Sequence, residues 1–292
     1  MGWAPNCAQS PGRFMRTGPI ISPIRDAGKE DLPCLKGRLP FRLSTTSYIL
    51  PAPILPNLKF LAPYVDEVEL VLFQSGEEQN LPSKREIREM AGLALDLELT
   101  YNVHLPTDVF LADPDPKVRA ESVETLLRFY ERTFSLAPTL YVLHLETRSA
   151  SGQRITDQTA WADRTGSCLK ELWRGGMEAR MLAVENLDYA PSWLMETFGG
   201  EGMWCCVDVG HLVRYGIPVE GELDRCIKRC RMVHLHGVQD GVDHQALDLV
   251  PEPLWENLRA RLEGFRGGLS IEVFSLENLA RSLQRISQWV KS

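Results

Sequence analysis

Eight short apolar runs recur along the chain, and each is followed by a segment with helical character. The runs have the length of buried strands and lie at residues 41–49, 68–73, 97–105, 139–145, 180–185, 203–209, 232–236 and 269–274. Helical segments are predicted at residues 55–65, 83–95, 116–136, 157–173, 221–230, 252–262 and 275–290, with a shorter one after Pro191. Regular alternation of strands and helices predicts a parallel sheet. Strands that are apolar throughout are typical of a sheet buried on both faces.

The number of units and the chain length agree with one barrel. Eight strand–helix units predict an α/β protein with a single (β/α)8 TIM barrel, for which 292 residues is an ordinary length. We predict that residues 39–292 form this barrel as the catalytic domain. Residues 1–38 are rich in Pro and Gly, which predicts a short N-terminal extension that is flexible or acts as a lid. The chemistry of such a barrel lies at the carboxyl ends of its strands.

Composition argues against several classes of function. The formal net charge is −7 and no basic run occurs, whereas proteins that bind duplex DNA need a basic surface to neutralise phosphates. We therefore expect a small-molecule substrate and no nucleic-acid partner. No apolar run approaches the ~20 residues of a membrane span, and no signal-peptide profile is visible. The seven cysteines lack a framework spacing, and Cys205 and Cys206 are interpreted as core thiols. This pattern favours a cytoplasmic protein without a membrane partner.

Metal-type ligands occur at the carboxyl ends of the third to the eighth predicted strand. The candidates are His104, His144, Glu185, Asp208, His211, His234 and Glu272. His236 in the seventh strand and His244 in the following loop complete the six histidines of the chain. Scattered histidines would fall mostly on helices and outer loops. Their concentration on one rim is therefore the strongest functional signal of the sequence.

Buried carboxylates strengthen this signal. A single histidine within a strand, such as His144, is more often a hydrogen-bonded core residue than a ligand. Glu185 and Glu272, however, lie within apolar strands, where an ionised carboxylate is costly unless it is paired or coordinates a cation. Arg180 and Arg231 lie at the opposite strand ends, too far away to pair with them. The set as a whole therefore favours metal binding.

The number of candidate ligands indicates more than one ion. A structural zinc takes about four protein ligands and a catalytic zinc about three. Seven candidates therefore predict two or three divalent metal ions, and mixed His and carboxylate sets accept Zn, Mn or Fe. Clustered cations can generate hydroxide near neutral pH and hold both the attacking and the leaving oxygen of a phosphoester.

More than one role is considered for Asp243, His244 and His236, and a single one for Glu146. Asp243 and His244, in the loop after the seventh strand, are candidate metal or substrate ligands. His236 shares a strand face with His234, and we assign it to the catalytic set as a ligand, as a residue that orients a ligand, or as a substrate contact. Glu146 lies nearer to a loop and is interpreted as solvated.

The order of the ligands resembles that of the endonuclease IV-like and xylose isomerase-like TIM barrels. The resemblance covers residues 41–290. It is carried by Val184-Glu185-Asn186, Val207-Asp208-Val209-Gly210-His211 and His234-Leu235-His236-Gly237.

Two branches of that superfamily differ in the histidines of strands three and four. The sugar isomerases generally lack both, whereas the phosphodiesterase branch has both, and this chain has them as His104 and His144. The loop after strand seven departs from the family pattern, which is Asp-x-His, because Asp243 and His244 are adjacent.

A narrower resemblance is to the cobamide-remodelling hydrolases. Residues 36–49, residues 55–57 and residues 68–73 resemble the start of that family. The resemblance implies metal-dependent hydrolysis of the nucleotide-loop phosphodiester of B12-type cobamides. The products would be cobinamide phosphate and an α-ribazole-type nucleoside, for cobamide remodelling or salvage. It also implies a cobamide partner, for which we name Tyr48 and Glu69 as candidate binding residues.

The predicted catalytic residues are Glu185, Glu272 and His236. One of the two carboxylates would bridge ions or help to deprotonate the attacking water. A sugar isomerase or epimerase is the first alternative function, in which the same carboxylates would move a proton beside one metal. The second is an abasic-site endonuclease, and the third is a non-catalytic corrinoid-binding protein.

Overall fold

Eight parallel strands form a closed barrel. The structure is a computed structural model that describes residues 32–290 except 76–77, 148–154 and 156. The barrel strands, β1 to β8 in chain order, are Arg42–Thr46, Glu67–Val71, Thr100–His104, Tyr141–Leu143, Leu182–Glu185, Trp204–Asp208, Cys230–Leu235 and Gly268–Ile271. Each strand pairs with the next one in the chain, and β8 pairs with β1. The predicted (β/α)8 TIM barrel is confirmed.

Each barrel strand is followed by at least one helix. The α-helices of the described residues, α1 to α9, are Ile54–Leu61, Lys84–Asp96, Pro116–Thr133, Gln158–Arg174, Pro191–Phe198, Val209–Arg214, Val219–Cys226, Glu252–Leu262 and Leu276–Ile286. Local sequence explains several of their starts. Ser83 and Glu86 form a reciprocal capping box at α2, and Asp115 caps α3, which begins with Pro116. None of these helices is both long and apolar enough to cross a membrane.

Two antiparallel hairpins interrupt the alternation and were not predicted. One pairs Gln74–Ser75 with Glu78–Gln79, and the other pairs Gly237–Gln239 with Val242–Gln245. The second hairpin follows β7 and turns at Asp240 and Gly241, whose φ angles are 53° and 79°. Two central residues with positive φ are typical of the tight type I′ turn, for which Asp-Gly is a favoured pair.

Helix α6 is the other unpredicted element, and it begins within the stretch that was expected to be a strand end. Asp208 is its N-cap, and the Oδ1 atom of Asp208 accepts the backbone N–H of His211 at 2.7 Å. Aspartate is a favoured N-cap because its carboxylate satisfies one of the unpaired N–H groups of the first turn. The Asp-x-x-His spacing therefore spans the first turn of a helix.

Residues 32–38 pack against the amino end of the barrel, opposite the carboxyl ends of the strands. Leu35 is buried, and Lys36 Nζ donates to the carbonyl oxygens of Ala62 and Leu97, which follow α1 and α2. The backbone N–H of Gly37 donates to Asp66, which precedes β2. These residues of the predicted extension thus contact the barrel away from the predicted site. Residues 1–31 lie outside the described residues.

Candidate metal centre

The seven predicted ligands lie together at the carboxyl end of the barrel. His104, Glu185 and Asp208 are the last residues of β3, β5 and β6. Asp208 pairs with His234 in the strand register, so both reach the same level of the barrel. All seven are buried, with relative exposures from 0 to 9%. The closed parallel sheet thus brings together residues that are up to 168 positions apart (from His104 to Glu272).

Glu185 occupies the middle of the cluster. Its Oε2 atom lies 3.3 Å from His104 Nε2, 3.2 Å from His144 Nε2 and 3.1 Å from His234 Nδ1. Its Oε1 atom lies 3.4 Å from His211 Nδ1. One oxygen of the Glu185 carboxylate therefore contacts three imidazoles, and the other oxygen contacts a fourth.

Three groups of donor atoms share Glu185. One consists of Glu185, Asp208, His234 and Glu272, a second of His104, His144 and Glu185, and a third of Glu185, Cys206 and His234. Within each group, one donor atom from every residue lies within 4.8 Å of all the others. Such convergence of carboxylate oxygens and imidazole nitrogens suits Zn, Mn or Fe.

Unsatisfied polar atoms provide a separate test of whether cations fit. Several buried donor atoms that face the cluster have no hydrogen-bond partner among the described residues: Glu185 Oε1, His144 Nε2, His234 Nδ1 and Glu272 Oε2. A buried polar atom without a partner costs roughly 1–3 kcal/mol. Divalent cations coordinated by these atoms would remove that cost, so the donor set fits metal ions.

Hydrogen bonds on the far side of the imidazole rings orient two of the histidines. His104 Nδ1 lies 2.9 Å from the Leu105 carbonyl oxygen, so an Nδ1–H tautomer leaves Nε2 free to act as a ligand. His144 Nδ1 lies 3.0 Å from Glu146 Oε1. Such outer partners are typical of metal-bound histidines. Glu146 is therefore corrected from a solvated residue to one that orients His144, although its side chain is 28% exposed.

Asn186 also supports the cluster and was not among the predicted site residues. Its side chain accepts the backbone N–H of Asp208 at 2.8 Å and donates to the Asp208 carbonyl oxygen at 3.0 Å. Its own carbonyl oxygen lies 3.0 Å from His211 Nδ1. A buried amide directly after Glu185 was the available signal. Its partners could not be identified without the fold.

His236 contacts Asp208 rather than the middle of the cluster. Its Nε2 atom lies 3.2 Å from Asp208 Oδ1, and its Nδ1 atom accepts the backbone N–H of His244 at 2.9 Å. With Nδ1 as acceptor, the neutral ring donates from Nε2 to the carboxylate. Of the three roles considered for His236, this geometry best matches a residue that orients a ligand.

The hairpin after β7 separates the two adjacent candidates, Asp243 and His244. Asp243 forms an ion pair with Arg214 of α6, and it belongs to none of the donor groups found among the described residues. His244 adopts a left-handed φ of 54° and forms a separate donor group with His211 and His236. The expected ligand role therefore has geometric support for His244 but not for Asp243.

Interactions between the buried carboxylates and imidazoles keep both kinds of group charged in the absence of metal. Burial alone would lower the pKa of His144, but the carboxylates of Glu185 and Glu146 raise it to about 10. The pKa of His211 is also raised to about 10, because Asp208 and Glu185 outweigh its burial. Conversely, burial would raise the pKa of Glu185, but His234 and His144 hold it well below its usual range. Protons on the imidazoles thus balance the buried carboxylates.

The two candidate substrate-binding residues lie in different surroundings. Tyr48 is half-buried just after β1, where its hydroxyl oxygen accepts the side-chain amide of Asn80 at 2.5 Å. Burial raises the pKa of Tyr48. Glu69 in β2 has no exposed surface, and its Oε2 atom lies 3.1 Å from His234 Nε2. Glu69 thus contacts a predicted ligand, and its role as a substrate contact stays a prediction.

Comparisons with known proteins identify the fold. No protein-family model matches the chain, and no curated protein matches it. Among solved structures, a D-tagatose 3-epimerase-like protein is similar, with a TM-score of 0.67 at 19% identity over 85% of this chain and 97% of that one. Endonuclease IV from Thermus thermophilus has a TM-score of 0.64 at 18% identity over 85% and 98% of the two chains. The IolI protein with a bound zinc atom has a TM-score of 0.64 at 13% identity over 85% and 96%. The chain therefore has the TIM-barrel fold shared by xylose isomerase-like and endonuclease IV-like proteins.

Proposed function

We propose that this chain is a metal-dependent hydrolase that cleaves the nucleotide-loop phosphodiester of cobamides. Water would add across one P–O bond, leaving the phosphate on the cobinamide and releasing an α-ribazole-type nucleoside whose oxygen takes up a proton. The reaction would serve cobamide remodelling or salvage in the cytoplasm.

The observation that carries the proposal is the second donor group. His104 and His144 both direct Nε2 at the same oxygen of Glu185, at 3.3 and 3.2 Å. A single-metal site made of Glu185, Asp208, His234 and Glu272 has no need of these two buried imidazoles. A site with more than one cation needs them, and such sites suit the transfer of phosphoryl groups.

The residues of the cluster would divide the work between holding ions and moving protons. Divalent cations held there would activate water near neutral pH and neutralise charge on the phosphodiester. Glu185 is suited to bridge the two donor groups, because its Oε2 atom contacts His104 and His144 of one group and His234 of the other. Glu272 is suited to accept the proton of water. Its relative exposure is 6%, whereas Glu185 and Asp208 have none, so it is the most accessible carboxylate of its donor group.

Charge and the sequence resemblance support the choice of substrate. The net charge of −7 favours a small molecule over duplex DNA. The segments that resemble cobamide-remodelling hydrolases include Tyr48 and Asn57, which lie in or beside the loop after β1 on the carboxyl side of the barrel. This loop is well placed to contact a large planar ligand above the metal centre.

The decisive experiment is a product assay. Purified protein is incubated with a cobamide and Zn²⁺, Mn²⁺ or Fe²⁺, and chromatography with mass detection measures cobinamide phosphate and the free nucleoside. We expect both products in equal amounts, and none after chelation of the metal. Asp224→Ala, which removes an exposed ion pair with Arg261 far from the cluster, should retain full activity. Absence of product with every metal would exclude the proposal.

A sugar epimerase is the second candidate, because similar structures include several sugar epimerases. It requires only the group that contains Glu185, Asp208, His234 and Glu272. Incubation with ketohexoses would then interconvert epimers, and the protein would contain about one metal ion per chain. Epimerisation without cleavage of cobamides would favour this alternative.

A further inference from the structure

We propose that Glu69 is a positioning residue of the metal centre. Its buried carboxylate faces the Nε2 atom of His234, where it would accept the N–H of the metal-bound ring and so direct the Nδ1 atom at the carboxylate ligands. The inference rests on the metal centre and not on the reaction, so it holds for a phosphodiesterase and for an epimerase.

The contacts of His234 assign its two ring nitrogens to different neighbours. Nδ1 lies 3.1 Å from Glu185 Oε2 and 3.3 Å from Glu272 Oε2. Nε2 lies 3.1 Å from Glu69 Oε2. A neutral imidazole carries one N–H and one lone pair. The lone pair belongs on the side where the other ligands converge, so the N–H faces Glu69.

Burial makes this contact necessary for Glu69. The side chain has no exposed surface. Apart from the contact with His234, neither of its oxygens has a hydrogen-bond partner among the described residues. An ionised carboxylate without a partner costs several kcal/mol in such surroundings. A carboxylate behind a metal-bound histidine, by contrast, is a common arrangement that fixes the ring and its tautomer.

Direct metal coordination by Glu69 is the competing interpretation. Donor atoms of Glu69, His104, His234 and Glu272 do lie within 4.8 Å of one another. The two nitrogens of one imidazole point away from each other, however. An ion on the Nδ1 side, among Glu185, Asp208 and Glu272, cannot also be bound by a carboxylate that contacts Nε2. Glu69 therefore acts through His234.

The same strand supplies a matched control. Glu67 lies two residues earlier in β2, on the same face of the strand, and is equally buried. Its carboxylate accepts the Asn102 side-chain amide at 3.0 Å and the Thr139 hydroxyl at 2.5 Å, near the amino end of the barrel. Loss of the charge at Glu67 would perturb a buried hydrogen-bond network. Glu67 itself contacts none of the predicted ligands.

The test measures metal binding in Glu69→Ala, Glu69→Gln and Glu67→Gln. Apo proteins are titrated with Zn²⁺ in competition with a chromophoric chelator, and bound metal is counted by elemental analysis. We expect Glu69→Ala to bind the same number of ions with about 10–100-fold lower affinity. Glu69→Gln keeps an acceptor oxygen and should recover most of that affinity. Glu67→Gln should lower the thermal unfolding midpoint but leave the affinity within about threefold of the original, because it contacts no ligand.

Three results would overturn the inference. Unchanged affinity in both Glu69 variants would show that the carboxylate does not orient His234. Loss of one bound ion in Glu69→Gln would make Glu69 a ligand. Equal weakening in Glu67→Gln would attribute the effect to any buried charge in β2. If Glu69→Ala fails to fold, Glu69→Leu, which has a similar volume but no acceptor oxygen, replaces it in the comparison with Glu69→Gln, and the same loss of affinity is expected. Cobamide cleavage is not needed for any of these measurements.

Discussion

The ring of His236 occupies the space that a side chain at position 210 would need, so Gly210 of α6 is in direct contact with His236, the residue that follows β7. A Cβ atom at Gly210 would collide with three atoms of this ring. The ring is buried and is held between Asp208 and the backbone of His244. The glycine in the motif Val207–His211 thus makes room for the histidine that contacts the Asp208 carboxylate.

We expect Gly210→Ala to displace His236 and to weaken metal binding. Overpacking of a buried site costs typically about 1–3 kcal/mol, which thermal unfolding of the apo protein would detect. Gly92→Ala in α2 is the control, because a Cβ there meets nothing within 4 Å. It should stabilise the protein by up to about 1 kcal/mol, as alanine does in a helix. An unperturbed metal affinity in Gly210→Ala would contradict the orienting role of His236.

His104→Ala and His144→Ala distinguish the two candidate functions. If the chain is a phosphodiesterase, each substitution should remove one bound ion per chain and abolish cleavage, because both imidazoles contact Glu185 Oε2. If it is an epimerase with one metal, both variants should keep that ion and nearly full activity. Elemental analysis combined with both activity assays separates these outcomes.

Metal binding should release protons at neutral pH. His144 and His211 have pKa values of about 10 without metal, so both carry a proton at pH 7. Each must lose it to coordinate an ion, so the affinity should rise with pH from 6 to 8 by about tenfold per unit for each proton released. Calorimetric titrations in two buffers of different ionisation enthalpy would count these protons. Equal heats in both buffers would show that no protons are released, which would contradict metal binding by protonated histidines.

Asp243→Asn tests the separation of the hairpin carboxylate from the metal centre. Asp243 is paired with Arg214 near the surface, and partly exposed ion pairs contribute about 0–1 kcal/mol. We expect the variant to keep its metal content and to lose less than about 1 kcal/mol of stability. Asp208→Asn is the comparison, and it should lose metal affinity. Loss of an ion in Asp243→Asn would restore Asp243 as a ligand.

Asn57 stabilises the loop after β1 and is expected to be sensitive to substitution. Its side chain is fully buried, accepts the N–H groups of Ile49 and Leu50, and donates to carbonyl oxygens of the same loop. Asn57→Ala should cost roughly 3 kcal/mol or more, since each buried group left unpaired costs about 1–3 kcal/mol. Asn257→Ala, which removes an exposed hydrogen bond to Glu220, should cost less than about 0.5 kcal/mol. Urea unfolding measures both.

The barrel and the convergence of the candidate ligands were predictable because each signal lies within a single strand. Eight apolar runs determine the fold class, and a carboxylate inside such a run, as at Glu185, is conspicuous without knowledge of its neighbours. The closed sheet then brings the strand ends together. Only the count and order of the strands were needed for this step.

The remaining features depend on contacts between segments that are distant in the chain. Glu69 and His234 are separated by 165 positions, and neither position alone reveals the pairing. Arg214 and Asp243 meet only because the unpredicted hairpin lies against α6, 29 residues away in the chain. Glu146 was interpreted as solvated because the sequence does not show that its side chain turns back towards His144, two residues earlier. The orientation of His144 is determined by the barrel.

All six histidines lie in one cluster, so the signals of their imidazoles would report selectively on that cluster. A protein of 292 residues gives a crowded nuclear magnetic resonance spectrum, but selective isotopic labelling of histidine would leave only six imidazoles visible. All of them belong to the metal centre or contact it. Their tautomers, protonation states and exchange with added ions could then be followed one residue at a time, without interference from the rest of the chain.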